Sequence, residues 1–189
     1  EHLVGIGKPI RKMIESGELS SSIILWGPPG CGKTTLARLI SRLTNSDFVE
    51  ISAVSAGKED MQKAVNRSRL NQTRTILFID EIHRFNKAQQ DFLLPYVERG
   101  TITLIGATTE NPSFEIISAL LSRSRVYVLN QLTENEIEKI IYNAIESEPI
   151  KKSNISIGEE SIKSISSLAN GDARAALNIL ELSISLSKE

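Results

Sequence analysis

Three observations predict an α/β fold, five parallel strands flanked by helices with a small helical domain after them. Five short apolar runs alternate with amphipathic stretches over the first 130 residues. The runs are almost continuously apolar, as strands are when helices cover both faces of their sheet. After residue 130 the runs stop and only helical periods remain. Strands separated by helical stretches imply βαβ crossovers and therefore parallel pairing.

The first run, Ile23-Ile24-Leu25-Trp26, is a buried strand that stops at Gly27. A helical period over 34–43 returns the chain to a second strand at 48–51. A helix over 58–70, a strand over 75–79, a helix over 87–94, a strand over 102–106, a helix over 114–121 and a strand over 126–129 continue the alternation. Thr133-Glu134-Asn135-Glu136 then has the capping-box form and opens a helix to about residue 146, with Pro149 as its stop. A second helix covers about 158–169. Asn170-Gly171-Asp172 is a break plus an N-cap, and a third helix runs over 173–186. The expected division is an α/β core over 1–130 and a helical domain over 131–189.

Composition bounds the function. The 189 residues are 40% hydrophobic and 24% charged, ordinary globular values that exclude a disordered tail, a collagen-like fibre and a disulfide-stapled miniprotein. Lys plus Arg is 22 against 23 for Asp plus Glu, so there is no global basic field and any nucleic-acid contact must be local. The single cysteine, Cys31, excludes an intrachain disulfide and a Cys-based zinc site, and it fits a reducing compartment. Two histidines give no metal-ligand cluster. The apolar runs are far below the length of a membrane span, and no signal peptide pattern opens the chain, so no membrane partner is expected. A start at Glu1 rather than Met is what a piece of a longer chain would show.

Gly27-Pro28-Pro29-Gly30-Cys31-Gly32-Lys33-Thr34 fits G-x4-G-K-[ST] between a strand and a helix. Glycines let backbone amides turn inward around phosphate oxygens, and the following helix adds the positive end of its dipole. The motif assigns Lys33 to the β- and γ-phosphates and the Thr34 hydroxyl to magnesium. Thr35 is adjacent to that position and either packs or caps. Cys31 reads as filler in the loop, with incidental oxidative sensitivity the alternative.

Ile76-Leu77-Phe78-Ile79-Asp80-Glu81 is an apolar strand ending in two carboxylates. In a parallel sheet, ligands sit beyond the carboxyl ends of the strands, so the pair is expected beside the phosphate loop. Asp80 would hold magnesium and Glu81 would polarise the attacking water. His83, two residues on, reads as a packed or hydrogen-bonded structural residue. The fourth strand leads into Thr108-Thr109-Glu110-Asn111-Pro112, which could sense a γ-phosphate or form an ordinary capped turn. Ser122-Arg123-Ser124-Arg125 precedes the fifth strand. Its arginines could meet a phosphate, a neighbour's phosphate or solvent.

In this order the motifs resemble the AAA+ ATPases of the clamp-loader group. The likeness is closer still to the replication-associated ATPases called RarA or MgsA in bacteria and Werner-helicase-interacting protein in animals. It rests on Leu25-Trp26-Gly27-Pro28-Pro29-Gly30, Ile79-Asp80-Glu81-Ile82-His83-Arg84-Phe85-Asn86-Lys87, Gln89-Gln90-Asp91, the run from Gly100 through Thr108-Thr109-Glu110-Asn111-Pro112-Ser113-Phe114, and Leu120-Leu121-Ser122-Arg123. The resemblance implies an AAA+ P-loop NTPase fold whose helical domain is a lid. It makes Lys33 and Thr34 ligands of ATP or ADP and of Mg2+, Asp80 a magnesium ligand and Glu81 the catalytic base. Thr109, with Thr108 the alternative, matches the first sensor. Ser52 matches a polar residue that restrains the base. Arg123, with Arg125 the alternative, matches the arginine that reaches a neighbouring subunit. Gly171-Asp172-Ala173-Arg174 matches the second sensor, with Arg174 approaching the γ-phosphate.

Two departures accompany it. Only Glu1-His2-Leu3-Val4 stands where the family has a Gly-Gln segment that helps hold adenine, and the chain stops at Glu189 where the family continues into a tetramer-forming helical domain. The resemblance implies an ATP-hydrolysing module in fork maintenance, recombination and repair. Alternatives are a nucleotide-gated recruitment platform and a Holliday-junction branch-migration motor subunit; a P-loop kinase fits less well, because Glu81 suits water activation. Implied partners are further copies of the chain, DNA at forks, gaps or single-strand/double-strand junctions, and replication proteins such as single-strand-binding protein. The implied location is the bacterial cytoplasm at the nucleoid, or the nucleus of a eukaryote. The DNA link comes from the resemblance; Lys58, Lys63, Arg67 and Arg69 form a local basic candidate that could equally be a solvated face.

Overall fold

The computed structural model describes residues 8–15, 19, 21–70, 74–148 and 157–187. Among them the five strands form one sheet. They are β1 Ser22–Trp26, β2 Asp47–Ser52, β3 Thr75–Asp80, β4 Thr103–Thr108 and β5 Ser124–Val128. The order is β2-β3-β4-β1-β5 and every pairing is parallel. The helices are α1 Pro9–Glu15, α2 Lys33–Leu43, α3 Lys58–Leu70, α4 Lys87–Glu98, α5 Pro112–Glu115, α6 Ser118–Leu121, α7 Glu134–Ile145, α8 Glu159–Leu168 and α9 Ala173–Leu186. The expected α/β class and five-stranded parallel sheet are therefore present.

The chain divides into two compact units, Glu1–Gly27 with Lys33–Leu129, and Pro28–Gly32 with Asn130–Glu189. In the first, Ile23, Ile24, Leu25, Ile76, Leu77, Phe78 and Ile79 are fully buried, which explains why β1 and β3 are unbroken apolar runs. One core cluster joins Ile24, Leu77, Ile79 and Leu104 of the sheet to Met61 of α3, Leu93 of α4 and Leu120 of α6. Each such side chain contributes roughly 1.5–3 kcal/mol by leaving water. Gly106 on β4 has no room for more: a Cβ there would lie 3.0 Å from methyls of both Ile24 and Ile82.

Three expectations needed correction. The helix expected over 114–121 is two short helices, because Ile116 and Ile117 between them adopt extended backbone. The buried Gln90 of α4 enforces this break. Its amide donates to the carbonyls of Phe85 (2.9 Å) and Glu115 (3.0 Å), and its oxygen accepts from the Ile117 N–H (2.9 Å). Second, α4 runs past Leu94 to Glu98 with Pro95 inside it. Beyond the proline, Tyr96 is held by its ring contact with Phe92 at 5.4 Å and by the Arg69 guanidinium at 5.6 Å. Third, β4 extends to Thr108, so that threonine is a strand residue rather than a loop residue.

The second unit holds α7, α8 and α9 around Ile137, Ile141, Ile162, Ile165, Ala176 and Leu180. The capping box at its start is formed: Thr133 Oγ1 accepts from the Glu136 N–H, and the Glu136 carboxylate accepts from the Thr133 N–H. The helix α7 ends at Ile145 with Glu146 as its C-cap. The stop assigned to Pro149 lies outside the described residues. Gly158 occupies the N-cap position of α8, and the Asp172 side chain caps α9, as the break at Asn170-Gly171-Asp172 predicts.

Candidate functional site

Because every pairing is parallel, the carboxyl ends of β1, β3 and β4 share one edge of the sheet, which is where ligands bind in open α/β folds. Strand β4 lies between β1 and β3. Trp26 is in register with Thr108, and the Gly27 N–H donates to the Thr108 carbonyl at 3.1 Å. The Trp26 indole N–H donates to the Thr109 carbonyl at 3.3 Å. Lys33 opens α2, and its Nζ donates to the Gly27 carbonyl at 2.8 Å, which brings the ammonium back over the end of β1. In the first unit, then, Gly27, Lys33, Thr34, Asp80, Glu81, Thr108 and Thr109 gather at this edge. Thr34 is half-buried and Thr35 exposed.

Asp80 is the last residue of β3, half-buried and in register with Ser52, whose neighbour Ala53 donates its N–H to the Asp80 carbonyl at 2.9 Å. Glu81 follows in the left-handed region, φ 54° and ψ 44°, a conformation uncommon outside glycine and asparagine. This turns its carboxylate out of the strand direction onto a 3-10 turn formed by Ile82–Arg84. Its Oε2 lies 3.9 Å from His83 Nε2 and 3.7 Å from Arg84 Nε. Thr108 is 1% exposed, and its Oγ1 lies 3.0 Å from His83 Nδ1 while accepting from the Glu110 N–H at 3.0 Å. The Thr108 hydroxyl is thus committed inward, which leaves Thr109 as the half-buried candidate at this strand end. Ser52 is exposed at the end of β2.

The loop Pro28–Gly32 belongs to the second unit. Gly30 and Gly32 have φ of +67° and +94°. A Cβ at Gly30 would overlap the Asp172 carboxylate, and the Ala173 N–H donates to the Gly30 carbonyl at 3.3 Å. A Cβ at Gly32 would meet no protein atom, so packing does not demand that glycine. Its positive φ and open surroundings fit an amide turned toward an anion. Cys31 is buried beside it. Arg174 is exposed on the first turn of α9, whose N-terminus is capped by Asp172 Oδ1 accepting from the N–H groups of Arg174 (2.8 Å) and Ala175 (3.0 Å). A side chain at Gly171 would collide with Gln131 and the Leu132 carbonyl.

Arg123 lies outside the strand-end cluster. Its guanidinium donates to the Ala119 carbonyl at 2.8 Å and to Ser122 Oγ at 3.0 Å, and it pairs with Glu98 at 2.7 Å. Nothing in the sequence signalled Glu98 as its partner. Arg125 is exposed on the edge strand β5. The four cations of the α3 patch are all engaged within the chain. Lys58 sits over the Phe92 ring at 5.8 Å and Arg69 over Tyr96, Lys63 pairs with Asp60 at 3.6 Å, and Arg67 donates to both oxygens of Asp47 at 3.0 and 2.8 Å.

The same architecture occurs in the RuvB Holliday junction branch migration motor of Thermotoga maritima, with a TM-score of 0.72 and 30% identity over 91% of this chain and 57% of that one. Residues 23–133 match the AAA family, the ATPase family associated with various cellular activities, and the chain belongs to it. Replication-associated recombination protein A of Escherichia coli K12 is 52% identical over 187 residues, covering 96% of this chain and 42% of that protein. ATPase WRNIP1 of Dictyostelium discoideum is 47% identical over 189 residues, covering 97% of this chain and 22% of that protein. The chain thus spans less than half the length of these two relatives. No helix among the described residues is long and apolar enough to cross a membrane.

Proposed function

We propose that the chain is an ATP-hydrolysing AAA+ module acting at stalled or gapped replication intermediates, in the compartment that holds the replicating chromosome. The observation that carries this reading is the return of the Lys33 ammonium onto the Gly27 carbonyl at the sheet edge where Asp80 and Glu81 also end. The naming of the relatives for replication-associated recombination supports the setting.

In this reading residues 1–130 are the nucleotide-binding core and 131–189 the lid. The backbone of Gly27, Pro28, Pro29, Gly30, Cys31 and Gly32 holds the phosphates, and Lys33 places a point charge against them. Among the described residues Asp80 makes no ion pair, and no group of three or more His, Cys, Asp and Glu is gathered. One carboxylate plus the Thr34 hydroxyl is a donor set of hard oxygens suited to magnesium, which keeps most of its waters. Bound there, the metal would neutralise charge on the phosphate oxygens. Glu81 orients and polarises the attacking water, Thr109 and Arg174 sense the γ-phosphate, and Arg123 acts on the site of a second copy in a homo-oligomer. DNA at forks, gaps or strand junctions, and single-strand-binding protein, are the proposed partners.

Release of labelled phosphate from ATP tests the reading, with Glu81→Gln alongside. Wild-type chain should bind and hydrolyse ATP in the presence of magnesium, faster with forked DNA. Glu81→Gln should bind ATP and turn over at least about tenfold more slowly, equivalent to roughly 1.4 kcal/mol of barrier. Equal turnover would remove Glu81 as the base.

A further inference from the structure

Of the chain's two histidines, His83 lies among the described residues, and the proposed hydrolysis does not use it. Its side chain is only 8% exposed. Nδ1 is held at 3.0 Å by the buried Thr108 hydroxyl at the end of β4, and Nε2 faces Glu81 Oε2 at 3.9 Å beyond the end of β3. The Thr108 hydroxyl has one proton and two other neighbours, the Glu110 carbonyl at 3.2 Å and the Glu110 N–H at 3.0 Å. The ring is therefore pinned at one nitrogen by a network that cannot rotate freely, and this fixes where its other nitrogen stands. Glu81 is the opposite case: its carboxylate is 38% exposed on a flexible side chain.

We propose that His83 is a positioning residue for Glu81, a rigid strut that ties the orientation of the carboxylate to the last residue of β4. The inference rests on Glu81 as the water-polarising base. A strut matters there because displacement of a reacting group by an ångström can cost on the order of a hundredfold in rate. Thr108 and Thr109 are adjacent, so a shift of the strand end at the proposed sensor would reach Glu81 through the same ring. Arg84, which approaches the same carboxylate oxygen at 3.7 Å, is 63% exposed and lacks such an anchor.

Two measurements on the 189-residue chain test this. The first is NMR of the histidine ring nitrogens, with His83→Asn identifying the His83 signals among the two histidines. Thr108→Val should move the Nδ1 signal and Glu81→Gln the Nε2 signal; a signal that stays in place in either variant overturns the link. The second is turnover. His83→Ala should lose about tenfold or more in ATP turnover with ATP affinity changed less than about twofold, because positioning acts on the reacting state rather than on binding. His83→Gln, whose amide still reaches toward Glu81, should recover part of the loss. Full turnover by His83→Ala, or a loss that merely follows lost ATP affinity, overturns the proposal. Glu81→Gln separates the two failures. If that variant hydrolyses ATP normally, the base assignment has failed; if it is inactive while His83→Ala is fast, only the strut has failed.

Discussion

Glu98, the last residue of α4, holds the guanidinium of Arg123 at 2.7 Å, while the carbonyl of Ala119 accepts a second bond from it at 2.8 Å. Both side chains are 41% exposed, so the ion pair is worth no more than about 1 kcal/mol and a phosphate could displace the carboxylate. If Arg123 serves a neighbouring site, Arg123→Ala and Glu81→Gln should each abolish turnover in an assembled protein. Mixing the two should restore part of it, because some interfaces then pair an intact Arg123 with an intact Glu81. Phosphate release from mixed assemblies measures this. Glu98→Gln should leave the melting temperature nearly unchanged, within the small value of the pair.

Lys33→Ala should abolish tight nucleotide binding with the fold intact. The ammonium lies over the Gly27 carbonyl, and its removal takes the point charge from beside the phosphates. Titration with a fluorescent ATP analogue reads the affinity, and circular dichroism reads the fold. Wild-type affinity in this variant would contradict the assignment of the loop.

Gln90→Ala should be among the most destabilising substitutions in the first unit. Gln90 is 1% exposed and satisfies three backbone groups, those of Phe85, Glu115 and Ile117. Each buried group left without a partner costs about 1–3 kcal/mol. Denaturant unfolding should show the loss, and Gln90→Leu should not recover it, since a similar volume restores no hydrogen bond.

The capping box of α7 makes a pH prediction. The Thr133 N–H and then the Thr133 hydroxyl, both bonded to the Glu136 carboxylate, hold its pKa below the ordinary glutamate range. A carboxyl group depressed in the folded state stabilises that state above its unfolded pKa and loses the contribution as pH falls through the folded pKa. Thr133→Ala should cost about 1 kcal/mol at neutral pH. Most of that cost should persist in acid, because the Thr133 hydroxyl caps the Glu136 N–H at any pH and alanine keeps the Thr133 N–H; only the part carried by the hydroxyl's bond to the carboxylate should fade below the usual glutamate range, as urea melts across pH would record.

Much of this was legible in the chain itself. Unbroken apolar runs such as Ile76-Leu77-Phe78-Ile79 announce strands buried on both faces, and the same parallel pairing brings Gly27, Asp80 and Thr108 to one edge. What stayed hidden depends on contacts distant in sequence. The break at Ile116 and Ile117 is made by Gln90, and a local helical period cannot reveal it. The engagement of Thr108 with His83 and of Arg123 with Glu98 needs the sheet to bring 25 residues of separation together. The basic run on α3 left open whether it is a surface for a polyanion or a solvated face. Its partners Asp47, Phe92 and Tyr96 come from β2 and α4.

Among the described residues, the non-glycine positions with left-handed backbone are Asn45, Asn170 and Glu81. Asparagine tolerates that region because its short side chain bonds locally; glutamate does not share this, and such a residue costs of order 1–3 kcal/mol. If Glu81 is the base proposed above, heat selection and chemistry pull position 81 in opposite directions. Glycine there would relax the backbone at no steric cost and raise the melting point while silencing phosphate release. A variant library ranked on thermal survival alone would enrich for such inactive winners, so engineering for robustness should hold position 81 fixed.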